Sequence, residues 1–287
     1  AETDPLTGSL NRRSVAAQTD FLVETSHAQS RAVAAIMVDL DNFKQVNDVH
    51  GHLAGDEMLR EAARRIAAQL PPGSLLSRFG GDEFACVVPF GPAHGEAIDR
   101  LAEALIDAVA RPVRYNNVDI ETTISIGLTR SDGHDRALDA QALLHVADIA
   151  MYHAKKHGKN GFAWFDPAME TELRFRSELE AGIRSGIPAG EFVPYYEKQI
   201  DMASGELVGF EMLARWNSPR LGVVKPDVFI PVAEEIGLIA DLSESVIAQA
   251  LVEARKWNPR LTLSVNISPV QLRDPWFAQK LLKLLVE

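Results

Sequence analysis

The feature that most limits how this chain can fold is a pair of short apolar runs, Leu75 to Phe79 and Phe84 to Val88, with only Gly80-Gly81-Asp82-Glu83 between them. Runs of strand length that close together leave room only for a tight reversal, and the glycines give the backbone the freedom to make it. The pair reads as a β-hairpin with Asp82 at its tip. Another run, Val33-Ala34-Ala35-Ile36-Met37-Val38, shows no polar alternation and reads as a strand covered on both faces. Asp39 stands at its end, so if the two elements are neighbours both carboxylates emerge at one edge of a sheet.

Helical periodicity supplies the covering layers. A helix is expected around Asn11 to Ser26, after the turn-rich Asp4-Pro5-Leu6-Thr7-Gly8. A second is expected from about Asn42, broken at His50-Gly51-His52 and resumed from Asp56. There Met58, Leu59, Ala62, Ala63, Ile66 and Leu70 recur at three- and four-residue steps until Pro71-Pro72-Gly73 stops them. A helix near His94 to Ala110, a strand near Thr122 to Leu128 and a helix near Leu138 to Lys156 follow, with Gly158 as the helix stop. This order predicts an α+β domain, helices packed on an antiparallel-rich sheet, over residues 1–168. After Phe165-Asp166-Pro167 the texture changes. A charged helix (Glu172 to Ile183), strands at Phe192 to Ile200, Leu207 to Phe210 and Leu261 to Ile267, and a helix near Ser243 to Trp257 predict a partial α/β domain over 169–287.

A formal charge of −11 argues against a general nucleic-acid or anionic-membrane surface, though not against a local cationic pocket for phosphates. No window approaches the ~20 apolar residues that span a bilayer, and Ala1-Glu2-Thr3-Asp4-Pro5 is not a signal peptide. A cytoplasmic setting is expected, whether or not a larger parent protein is membrane-anchored. The single Cys86 lies in an apolar strand run and reads as a small core residue, not a nucleophile.

Two carboxylates at a sheet edge suit hard divalent cations, which take oxygen ligands together with substrate phosphates. Any one acid can equally be a turn or cap residue, and Asp41, just before a helix, reads as an N-cap. Asn42-Phe43-Lys44 then offers backbone N–H groups where a phosphate could sit. His50 and His52 read as loop residues, and Phe43, Phe79 and Phe84 as core.

Five blocks in order narrow this further: Asp4-Pro5-Leu6-Thr7-Gly8-Ser9-Leu10-Asn11-Arg12, Asp39-Leu40-Asp41-Asn42-Phe43-Lys44-Gln45-Val46-Asn47-Asp48, Gly51-His52-Leu53-Ala54-Gly55-Asp56, Gly80-Gly81-Asp82-Glu83-Phe84, and Ala147-Asp148-Ile149-Ala150-Met151-Tyr152-His153-Ala154-Lys155. Together they closely resemble the GGDEF family of diguanylate cyclases, with a nucleotidyl-cyclase-like, palm-like fold. The resemblance implies condensation of two GTP molecules into cyclic di-GMP with Mg²⁺ or Mn²⁺, two ions per GTP site. It assigns the metal pair to Asp39, Asp82 and the Leu40 carbonyl, and the guanine edge to Asn47 and Asp56. Lys44 and Lys155 would neutralise triphosphate charge, and Glu83 would assist the metal or deprotonate the attacking 3′-hydroxyl. Arg78 would support the site electrostatically, Gly80 and Gly81 would leave room for the nucleotide, and Phe43 would join the substrate-binding set. Each domain would hold one GTP, so catalysis implies a homodimer. Pro71 and Ser74 stand where the family's inhibitory product site carries Arg and Asp, which predicts no product inhibition there. Lys159 stands where an arginine is common and keeps the positive charge.

Glu211-Met212-Leu213-Ala214-Arg215-Trp216, Pro226 to Leu238 and Ser264-Val265-Asn266-Ile267-Ser268 resemble the EAL family, which hydrolyses cyclic di-GMP on a metal-containing TIM-like barrel. The resemblance would make Glu211 and Asn266 metal ligands and Arg215 a phosphate contact. Glu197 stands where a substrate-contacting glutamine is usual and adds negative charge. The family's later acidic ligands and catalytic lysine would fall beyond Glu287, so about half a barrel is expected and hydrolysis by this stretch is not. A half-barrel leaves a parallel sheet edge unpaired, and a longer tandem protein is the expected context. Three readings follow: a GTP-condensing enzyme, a non-catalytic GTP-binding domain that tunes an attached phosphodiesterase, and a phosphodiesterase. The intact Gly80–Phe84 loop favours the first.

Overall fold

The computed structural model describes residues 2–133 and 138–286. The chain divides into two compact units, Ala1–Thr171 and Glu172–Glu287. In the first, β1 (Leu10–Asn11), α1 (Arg12–Ala28), β2 (Ala32–Leu40), α2 (Phe43–His50), α3 (His52–Gln69), β3 (Leu75–Gly80) and β4 (Glu83–Phe90) are followed by α4 (Glu96–Val109), β5 (Val113–Tyr115), β6 (Val118–Ile120), β7 (Ile124–Arg130), α5 (Ala140–Lys156) and β8 (Gly161–Trp164). Six strands form one sheet in the order β1-β3-β4-β2-β7-β8. Its inner pairings are antiparallel and the outer two, β1 with β3 and β7 with β8, are parallel.

All nine residues of β2 are buried, and their alternation explains why the run lacks polar positions. Ala34, Ile36, Val38 and Leu40 join the core beneath α3 and α4, where Met58, Ile66 and Leu105 also lie. Val33, Ala35 and Met37 join the opposite core with Val15 of α1 and Leu143, Ala147 and Met151 of α5. A strand packed on both faces is apolar along its covered length, here Ala32 to Val38, and Asp39 enters only where the strand reaches the sheet edge. On the α5 side the contact depends on Gly127 of β7, where a Cβ would lie 2.0 Å from the Ala147 carbonyl oxygen and 2.1 Å from the Met151 nitrogen.

The hairpin forms as expected, with Gly81-Asp82 at its turn, Gly81 at φ +50° and a register shift between Arg78 and Gly80. The break between α2 and α3 is narrower than expected: Gly51 alone, at φ 87°, separates them, and α3 begins at His52, not Asp56. The short β5–β6 hairpin was not expected from the pattern. Asn116 and Asn117, at φ 46° and 62°, make its turn, the positive-φ pair that a type I′ reversal requires. Arg65 closes the end of α4: its Nη1 donates to the carbonyls of Ala108, Val109 and Arg111, its Nη2 donates to Pro112, and its Nε donates to Glu61. Arg64 and Arg65 together hold the Glu61 carboxyl down at about 2.

In the second unit the final turns of α6 (Pro167–Gly186) lead to β9 (Phe192–Ile200), β10 (Leu207–Ser218), β11 (Gly222–Val224), α7 (Pro226–Glu235), α8 (Ile239–Ala254), β12 (Thr262–Val265) and α9 (Phe277–Val286). The long β10 is the hub. It pairs antiparallel with β9 and β11 and parallel with β12. The expected parallel α/β pairing is therefore the β10–β12 ladder, reached through α7 and α8. Trp216, stacked on Phe192 at 5.1 Å and edge-on to Phe229, fills the centre of this core.

Candidate functional site

The antiparallel ladder sets Asp39, next to last on β2, directly opposite Glu83, the first residue of β4. The Leu40 N–H donates to the Asp82 carbonyl at 3.3 Å, which fixes the hairpin tip against the end of β2. Asp39 is 3% exposed, and α5 covers it: Lys155 Nζ lies 2.7 and 2.8 Å from its two carboxylate oxygens. Burial pushes the Asp39 carboxyl above its ordinary value. The Lys155 bond and charge oppose that shift, whereas Asp82 and Asp41 add to it. For Lys155 burial works the other way, yet the Asp39 bond and the fields of Asp39, Asp82 and Asp41 outweigh it and raise its pKa. The two partners thus shift upward together. The ammonium is strongly held, and the acids around it still exceed the positive charge.

Glu83 is also raised, by burial first and then by Asp148, Asp39 and Asp82. Asp148, on α5, is raised by burial against the pull of His145 and Arg12. Four acids therefore crowd one sheet edge beneath a single lysine–aspartate contact. This donor set fits a hard divalent cation: it is all oxygen, it carries excess negative charge, and an ammonium already sits where a cation would bind Asp39.

The remaining expected residues surround this edge. Arg78 donates through Nε and Nη2 to the Gly81 carbonyl at 2.9 and 2.7 Å, and through Nη1 to Asp4 at 3.3 Å. It braces the hairpin tip against the N-terminal turn. Burial opposes ionisation of Asp4, but its bonds from Thr7 and Arg78 prevail and hold the carboxyl below its ordinary value. A Cβ at Gly80 or Gly81 would meet nothing within 4 Å, so the space over the turn is open. Lys44 is exposed on α2, and Asn47, also on α2, lies against Gly55 of α3, where a Cβ would fall 2.0 Å from the Asn47 Oδ1. Asp56 follows on α3, half-buried. Phe43 is half-buried and packs against the α3–α4 core, as its apolar character indicated.

One residue of this edge, Asp148, was given no role from the sequence, and another, Asp41, was misread. Asp148 precedes Lys155 by seven residues, two helical turns, so a shared face of α5 was legible in the spacing. Asp41 is a correction. The helix cap is Asn42, at φ 59°, and the Asp41 side chain turns away from α2 to accept from Ser125 and Thr123 hydroxyls, each at 2.7 Å, and from the Asn160 N–H at 3.0 Å.

In the second unit the Asn266 amide donates to Glu211 Oε1 at 2.8 Å, so β10 and β12 bring these two expected ligands together. Glu197 of β9 lies directly opposite Glu211. Arg215, four residues along β10, sits over the Tyr195 ring at 5.5 Å and donates to the Ala214 carbonyl at 2.9 Å.

The family model described as diguanylate cyclase, GGDEF domain, matches residues 1–161, and that of the EAL domain matches residues 180–287. The chain belongs to the GGDEF family, with part of an EAL domain after it. The GGDEF–EAL order recurs in relatives. The cyclic di-GMP phosphodiesterase PdeR of Escherichia coli is 34% identical over 290 residues, 100% of this chain and 43% of PdeR. The bifunctional diguanylate cyclase/cyclic di-GMP phosphodiesterase MucR of Pseudomonas aeruginosa is 32% identical, over 93% of this chain and 39% of MucR. The chain thus spans less than half the length of either. A solved GGDEF domain from Pseudomonas aeruginosa (TpbB or YfiN) is 32% identical with a TM-score of 0.57, covering 60% of this chain and 99% of that one. No helix among the described residues is long and apolar enough to cross a membrane.

Proposed function

We propose that the GGDEF domain is catalytically competent and condenses two GTP molecules into cyclic di-GMP, releasing pyrophosphate. The observation that carries this reading is the Asp39–Asp82–Glu83 edge under Lys155, a complete acidic site with its signature loop intact. Asp39 and Asp82, with the Leu40 carbonyl, would hold Mg²⁺ or Mn²⁺, which when bound would offset triphosphate charge and stabilise the attacking and leaving oxygens.

The chain's own residues do the rest. Asn47 offers both a donor and an acceptor to the guanine edge, and Asp56 accepts from its N–H groups. Lys155 exchanges its Asp39 contact for triphosphate oxygens, and Lys44 approaches them from α2. Glu83, whose proton affinity burial and neighbouring acids raise, accepts the proton of the attacking 3′-hydroxyl. The 3′-oxygen bonds to the α-phosphorus of the facing GTP, and the bond from that phosphorus to the β-phosphate's bridging oxygen breaks. Each domain holds one nucleotide, so two copies must face each other for both bonds to form.

The attached EAL segment and the phosphodiesterase name of PdeR support a second reading, a GTP-binding domain that regulates a phosphodiesterase. Pyrophosphate release separates the two. Metal-stripped protein given GTP should release pyrophosphate on addition of Mg²⁺, and given ATP it should not. Saturating GTP binding with no release, even when dimerisation is enforced, would replace catalysis with the regulatory reading.

A further inference from the structure

We infer that Asp41 is a positioning residue: it clasps the turn after β2 to the turn after α5, and so sets the spacing of the two segments that carry the triphosphate-side lysines. The inference rests on the cyclase reading for what the segments do, and on geometry alone for the clasp.

Asp41 is 2% exposed, yet it is a carboxylate. A buried polar side chain is tolerated only when hydrogen-bond partners surround it. Here they come from two other segments. Ser125 Oγ donates to Oδ1 at 2.7 Å, while Thr123 Oγ1 at 2.7 Å and the Asn160 N–H at 3.0 Å both donate to Oδ2. The backbone repeats the attachment, because the Asp41 N–H donates to the Thr123 carbonyl at 2.8 Å and the Asp41 carbonyl accepts from Thr122 Oγ1 at 3.1 Å. One side chain thus ties the end of β2 to the start of β7 and to the turn between α5 and β8.

A second contact lies beside the first. Lys159 Nζ donates to Asn42 Oδ1 at 2.8 Å. The residues at this crossing hold left-handed conformations, with Asn42 at φ 59°, Lys159 at 58° and Asn160 at 44°. Asparagine enters this region readily, but a lysine rarely does, so Lys159 marks the crossing as a constrained one. The payload sits immediately outward on each segment. Asp39 and Lys44 flank Asp41 on one, and Lys155 precedes Lys159 on the other. Lys155 reaches Asp39 across this gap, so a change in its width changes both the metal-side and the phosphate-side geometry.

All three side-chain contacts are donors to Asp41, and the Asn160 N–H cannot rotate to become an acceptor. An amide at this position could keep its oxygen on Thr123 and the Asn160 N–H and donate to the Ser125 hydroxyl, so the clasp is opened by Asp41→Ala, which removes all three side-chain contacts at once.

The test measures amide hydrogen exchange at Asn160 in the parent protein, then compares Asp41→Ala for that exchange, for melting temperature and for affinity toward a non-hydrolysable GTP analogue with Mg²⁺. In the parent, the Asn160 amide should be protected although its residue is exposed. In the variant, exchange there should accelerate at least about tenfold and analogue affinity should fall about tenfold, while protection in β2 and β7 is kept. An unprotected Asn160 amide in the parent overturns the clasp without any variant. Unchanged exchange and affinity in the variant overturn it as well. If the analogue fails to bind the parent, the cyclase reading is undone, and Asn160 exchange still decides the clasp by itself.

Discussion

Replacing Lys155 by methionine would separate its contact with Asp39 from the triphosphate role proposed for it. The Lys155–Asp39 pair is intermediate between surface and core, with side chains 37% and 5% exposed. Exposed pairs contribute about 0–1 kcal/mol, whereas removing one partner of a fully buried pair costs about 3–5 kcal/mol. The half-covered geometry here places the cost at about 2 kcal/mol, or ~4–8 °C in the melting temperature of a unit this size. The parent must break the same contact to admit a cation to Asp39. Lys155→Met should therefore bind Mg²⁺ about 30-fold more tightly than the parent without nucleotide, the equivalent of ~2 kcal/mol. Turnover should nevertheless fall, because the triphosphate loses a counter-charge. Thermal melts in EDTA and across a Mg²⁺ titration, with initial rates beside them, measure all three. A variant that melts with the parent in EDTA and binds Mg²⁺ equally would refute the idea that Lys155 occupies the cation's place.

Other consequences follow from the same edge. Asp39 and Glu83 have raised pKa values, so in metal-free protein they favour the folded state more as pH falls from neutrality toward the ordinary carboxylate range, and that contribution is lost as pH rises through their folded values. Asp39→Asn with Glu83→Gln should flatten the stability-versus-pH curve in this window, and an unchanged slope would contradict the assignment. Gly55→Ala should rotate Asn47 away and weaken GTP binding about tenfold by isothermal titration, with little change in melting. Gly127→Ala should cost about 3 kcal/mol or more, because α5 backbone occupies the space, and a denaturant midpoint near that of the parent would disprove the close approach. Pro71 and Ser74 offer no charges to product, so added cyclic di-GMP should leave the initial rate unchanged, apart from competition that GTP relieves.

How much of this was legible depends on what each residue contacts. The hairpin was readable because Gly80 to Glu83 leaves no alternative to a reversal. The β2 strand was readable because two-sided burial removes every polar position from Val33 to Val38. The placement of Asp39 opposite Glu83 followed from those two elements once they paired. Asp41 misled because a carboxylate before a helix has a local explanation, the cap, while its true partners Thr123, Ser125 and Asn160 lie 82 to 119 residues away. The β5–β6 hairpin escaped for the reverse reason. Its strands are three residues each, too short for alternation, and only Asn116-Asn117 marked the turn. The resumption of helix at His52 was hidden because Gly51 and its neighbouring histidines look like a longer loop than they make.

Chromatography of the products that concentrated protein makes from GTP with Mg²⁺, beside an Asp82→Ala control, tests the central claim most directly. Cyclic di-GMP from the parent and none from the control is the predicted result, and it would place the chemistry at the tip of the hairpin. Equal product from both would remove Asp82 from the mechanism, and GTP bound but left intact by a dimeric parent would contradict catalysis by this domain.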